Sequence, residues 1–75
     1  MDSAAFLARV AEALDYDGVI ETGQNLTALE TWDSLGILSI VDLLEEIGVE
    51  VDIDAISNLE TTDDLIALAG AAVHD

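Results

Sequence analysis

Cysteine and proline are both absent from this 75-residue chain. Without cysteine, neither a disulfide nor a thiolate metal site can staple the fold. Aromatic residues are nearly absent too, with one Phe, one Tyr and one Trp. The core must therefore be aliphatic and alanine-rich, with modest buried area per residue. Basic side chains are the third scarcity. Arg9 stands alone against 17 acids, for a formal net charge of −16. That balance excludes binding to a nucleic-acid backbone and argues against anionic membrane surfaces. No apolar run approaches the ~18 residues a spanning helix needs, so no membrane contact is expected. Met1-Asp2-Ser3 opens on an acid and leads straight into an amphipathic pattern, which predicts no signal peptide and a cytoplasmic location.

What is present is periodic apolar sequence. Hydrophobic residues make up 52% of a chain long enough for one domain, near the lower limit for a self-sufficient core. A purely solvating acidic tail would not carry that pattern. The excess of carboxylates favours partners with a basic patch, met quickly and released easily, although acidity can also serve solubility alone.

The chain is organised around the stretch from Thr31 to Gly48. Thr31, Asp33 and Ser34 form a capping cluster before an apolar run at helical spacing, and Gly48 ends it. At about 100° per residue, Ile37, Ile40, Val41, Leu44 and Ile47 share the inner face. Leu35, Ser39, Asp42 and Glu46 centre the outer face, with Leu38 and Glu45 beside them. Two exposed leucines next to a serine at a helix start, leading into carboxylates, are unusual for a plain surface face.

Before this stretch, a first helix is predicted from about Ser3 to Asp15, with Phe6, Leu7, Val10 and Leu14 inward and Arg9 and Glu12 away from them. Asp2-Ser3 repeats the Asp-Ser pair of the second helix and reads as a simple N-cap. Between Tyr16 and Trp32 the periodicity lapses, and a loop this long needs anchors. Val19, Ile20, Leu26 and Leu29 are the expected ones. Asp15-Tyr16-Asp17-Gly18 does not complete a calcium loop, because Ala13 and Gln24 would fall at ligand positions. Trp32 reads as a plug stapling the loop onto the core, the alternative being a border of the functional surface. After Gly48, the alternating run from Val49 to Asp54 has no strand partner and reads as an extended connection. Ile53, Ile56 and Leu59 suit a short third helix. Thr61 and Asp64 are spaced as a capping box for the last helix, in which Leu65, Leu68, Ala69 and Ala72 face inward. The expected fold is all-α: a small four-helix bundle of three longer helices and one short one, with a long first loop, over residues 1–75 as one domain.

Asp33-Ser34-Leu35 at the start of the second long helix, within a small acidic helical chain, resembles the acyl carrier protein family. The resemblance covers nearly the whole chain in length, helix spacing and charge. It implies a freestanding carrier with a 4'-phosphopantetheine arm, derived from coenzyme A and attached to Ser34. The arm's thiol would hold acyl or related intermediates as thioesters, whether fatty acyl, polyketide or aminoacyl. Asp33 and Leu35 would be read by a phosphopantetheinyl transferase. Leu38, Asp42, Glu45 and Glu46 would dock acyl-loading and acyl-processing enzymes through basic patches. The carrier would be a monomer and bind no metal. Two residues depart from the family pattern: Ser39 stands where carriers often have an acid, and Gly36 costs about 1 kcal/mol against alanine within a helix.

Two other classes compete with this reading. Ser34 as a catalytic nucleophile would need a nearby base. The only histidine, His74, sits in a fraying terminus, and the glycine-flanked turn of a nucleophile elbow is missing. No enzyme is expected. The remaining alternative is an unmodified acidic interaction module that docks on a basic partner and carries nothing.

Overall fold

The computed structural model describes residues 1–73 of the chain, so the expectation about His74 lies outside the described residues. Four α-helices follow one another: α1 (Ser3–Ala13), α2 (Ser34–Glu46), α3 (Ile53–Ser57) and α4 (Thr62–Ala69). Short 3₁₀ turns occupy Leu26–Ala28 and Gly70–Ala72. No strand forms among the described residues, and the expected all-α architecture of three longer helices and one short one is present. No described helix is long and apolar enough to cross a membrane.

Local chemistry explains the helix ends. Asp2 caps α1, its Oδ1 accepting the Ala5 N–H at 2.8 Å. At the far end, Tyr16 N–H donates to the Ala11 carbonyl at 2.9 Å and Asp15 N–H to that of Glu12 at 3.1 Å. This is a Schellman closure, and it stops α1 two residues before the expected Asp15. The same closure ends α2, where Val49 N–H reaches the Leu44 carbonyl at 2.8 Å and Gly48 N–H that of Glu45 at 3.1 Å. Gly48 holds the left-handed position there with φ 88°, whereas α1 places Asp15 in it with φ 55°. A side chain at that position costs free energy that glycine avoids. Asp15→Gly is therefore expected to raise stability by about 0.5–1 kcal/mol, read as a higher urea midpoint with an unchanged m-value.

The core is aliphatic apart from Phe6, as the composition requires. Phe6, Val10, Leu26, Ile40, Leu44, Ile56 and Leu65 are fully excluded from solvent, drawing on all four helices and the first loop. After α2 the extended connection alternates as expected, Val49 and Val51 half-buried and Glu50 and Asp52 exposed. In α3, Ile56 is buried and Leu59 just beyond is half-buried, while Ile53 remains exposed. The Thr61–Asp64 capping box forms at α4.

Three of the expected loop anchors, Ile20, Leu26 and Leu29, are buried. Val19 is not an anchor: it is 79% exposed. A polar clamp that periodicity does not reveal completes the attachment. The Leu26 N–H donates to the Glu60 carbonyl at 2.8 Å and the Thr62 N–H to that of Gln24 at 2.9 Å, about a lone antiparallel bridge between Asn25 and Thr61. The Thr62 hydroxyl is fully buried, donating to the Glu21 carbonyl at 2.7 Å and accepting the Gln24 N–H at 3.2 Å. Thr62→Val keeps the shape but leaves both loop groups without that oxygen, an expected loss of about 1–3 kcal/mol. The loss should appear in urea unfolding together with faster exchange of the Gln24 amide, and Thr62→Ser should retain most of the protection.

Candidate functional site

The first turn of α2 presents Ser34, and the residues around it explain why. Asp33 is the cap: its extended backbone and its Oδ1, accepting the Gly36 N–H at 2.9 Å, start the helix. Ser34 is then the first helical residue, exposed. Of the three residues in the capping cluster, only Asp33 caps. Thr31 instead lies behind the turn, with its Oγ1 buried and lacking a hydrogen-bond partner.

Gly36 is buried against that preceding segment. A β-carbon there would overlap the Thr31 carbonyl oxygen and lie 2.8 Å from Leu14 Cδ2. What looks in the sequence like a weak point in a helix is the place where the incoming chain and α1 meet α2. This close approach seats the turn carrying Ser34 on the body of the protein. Trp32, one residue after the Thr31 contact, is half-buried and packs on the core cluster, and its backbone N–H donates to the Leu29 carbonyl at 3.1 Å. The core role is thus present in part, with the rest of the indole left to solvent.

The outer face of α2 carries the expected leucines and acids, but Ser39, expected at its centre, is not fully exposed. Leu35 and Leu38 are 75% and 52% exposed, and Asp42, Glu45 and Glu46 are exposed beyond them. Ser39 sits half-buried among them, its hydroxyl donating to the Leu35 carbonyl at 3.1 Å. The three acids are not equivalent. Glu46 pairs with Arg9 of α1 at 3.3 Å, so the chain's only cationic side chain, lysine or arginine, is spent there. That pair is exposed and contributes roughly 0–1 kcal/mol. Asp42 and Glu45 have no cationic partner within the described residues.

The inner face is rotated from its expected position. Gly36, Ile40, Leu43 and Leu44 are buried, while Ile37, Val41 and Ile47 are half-buried. The Gly36 contact causes this, since a residue without a side chain lets α1 approach α2 on that side. The role of Gly36 and the clamp at Thr62 are not legible in the sequence, because both depend on carbonyls outside their own helices.

The arrangement can do two things chemically. It presents a hydroxyl at the positive end of a helix, where donors of the first turn have no intrahelical partner and an anionic group is favoured. It also places exposed apolar side chains next to unpaired carboxylates. No family model, curated protein or solved structure matches this chain.

Proposed function

We propose that this protein is an acyl carrier protein bearing 4'-phosphopantetheine on Ser34. The observation that carries the reading is the setting of Ser34: an exposed hydroxyl at the first position of α2, followed by the 75% exposed Leu35. A phosphodiester at that oxygen fits the site, because the helix end favours an anion and the exposed hydroxyl leaves room for a bulky group. When bound, the group supplies a thiol that holds cargo as a thioester, which a chain without cysteine cannot do itself. Asp33 fixes the start of the helix, Gly36 seats it, and Leu35 offers a transferase an apolar contact. Leu38, Asp42, Glu45 and Glu46 extend the same surface toward loading and processing enzymes. Incubation with coenzyme A and a broad-specificity phosphopantetheinyl transferase should add one phosphopantetheine mass, and Ser34→Ala should add none. Addition persisting in that variant, or mapped to Ser3, would reject the assignment.

A specific observation favours the second reading, an unmodified acidic interaction module. Asp2 caps α1 through its carboxylate much as Asp33 caps α2, and in each helix the serine follows as the first residue. Capping alone therefore accounts for an Asp-Ser pair. No mass gain with several transferases, alongside saturable binding to basic partner surfaces, would decide for that module.

A further inference from the structure

A second surface lies apart from the outer face of α2. The first loop folds back along α1 to form an open groove of about 920 Å³, none of whose walls belongs to α2. Buried Leu7, Ala11 and Ile20 line it, with the 79% exposed Val19 also in its wall. Ala4, Ala8 and Ala11 follow one another at i, i+4 and i+7, so one line of α1 carries only methyl groups. Small residues in such a row let another backbone come close. The carboxylates along the groove are Glu12, Asp15 and Glu21, and no basic side chain among the described residues lines it. Arg9, the only Lys or Arg in the chain, is held by Glu46.

We propose that this groove docks an amphipathic helix of a partner protein, one whose apolar ridge is flanked by lysines or arginines. The charge pattern selects that occupant. A fatty acid would bring its carboxylate against three others, and a second copy of this chain would bring the same acidic rim. A basic helix satisfies rim and floor together, its cations meeting Glu12, Asp15 and Glu21 while its ridge covers Val19 and the alanines. The half-buried Tyr16 also lines the groove wall. From Ser3 to Glu12 the groove follows α1 for about 14 Å, and Asp15 and Tyr16 extend it past the helix end, enough for a partner helix of roughly three turns. The proposal stands whether or not Ser34 is modified.

The test is a titration of the full-length, isotope-labelled protein with a synthetic amphipathic peptide of about 14 residues, leucine and alanine on one face and lysine on its flanks. A scrambled peptide of the same composition serves as the comparison, both at about 0.15 M salt so that the overall field is screened. The amides of Ala4, Ala8, Val19 and Ile20 are expected to shift, with the scrambled peptide binding at least about tenfold more weakly. Ala8→Gln combined with Val19→Ser, both at exposed positions, should weaken binding about tenfold while leaving the helical circular dichroism unchanged. Leu35→Ser with Leu38→Ser should leave binding as it was. Equal binding of the two peptides, shifts confined to α2, or no saturable binding would each overturn the proposal.

Discussion

Gly36→Ala is expected to destabilise this protein by about 2 kcal/mol or more, the opposite of what helix propensity predicts. On propensity alone, alanine should be better than glycine inside a helix by about 1 kcal/mol. The added methyl, however, would overlap the Thr31 carbonyl oxygen and crowd Leu14 Cδ2 at 2.8 Å. A leucine end can turn aside, but a backbone carbonyl moves only with its segment, which puts the cost at or above the upper end of the about 1–3 kcal/mol typical of forced core expansion. With that cost set against the propensity gain, the clash wins because the carbonyl belongs to the segment that runs directly into the Asp33 cap. In a domain of this size each kcal/mol moves the thermal midpoint by roughly 4–8 °C, so a drop of about 8–16 °C is expected. Ser39→Ala in the same helix serves as the control, since it changes propensity without adding bulk and should leave the midpoint within a few degrees. A Gly36→Ala protein as stable as the parent would mean that the chain before α2 is free to move away. In the carrier reading, the same displacement would also disturb Ser34, so arm attachment should slow in the folded fraction.

The second large effect concerns the two acids on α2 that lack a cationic partner among the described residues. In the carrier reading, reversing Asp42 and Glu45 together to lysine is expected to slow acyl transfer to a cognate enzyme about tenfold or more at low salt, and to flatten its salt dependence. Charges at the rim of a docking surface act mainly on association, and that action is screened within a Debye length of about 10 Å at 0.1 M salt. Glu46 is left out of the pair because it already engages Arg9, and its reversal would also break a link between α1 and α2. Asp2 is unsuitable as a control, since it caps α1. Asp17 and Glu60 are exposed and lie outside α2, and reversing both alters net charge by the same amount. Local docking predicts a large loss for the α2 pair and a small one for the control pair. Equal losses would show that the acidity works only as a global field.

Much of the helical framework was legible in the sequence because it depends on neighbours a few residues apart. Asp33 and Thr61 announce the starts of α2 and α4 through side chains that reach N–H groups three residues on, and Gly48 announces the end of α2 through its φ of 88°. The outer face of α2 was equally legible, since leucines and carboxylates at helical spacing must share a side wherever the inner face goes. Exposure of Ser34 and Leu35 belongs to that local class.

What tertiary structure alone decided are the approaches between segments distant in sequence. Leu14 of the α1 end comes against Gly36, turning α2 so that Leu43 is buried while Ile37 is only half-buried. Thr62 reaches back 41 residues to the Glu21 carbonyl, so the first loop is held by hydrogen bonds as well as by Ile20, Leu26 and Leu29, while Val19 is left in the wall of an open groove. Periodicity counts which side chains are apolar, but it carries no information on where a distant carbonyl will lie. Whether a glycine is a weak point or a necessity, and whether a threonine is a cap or a clamp, follows from that position alone.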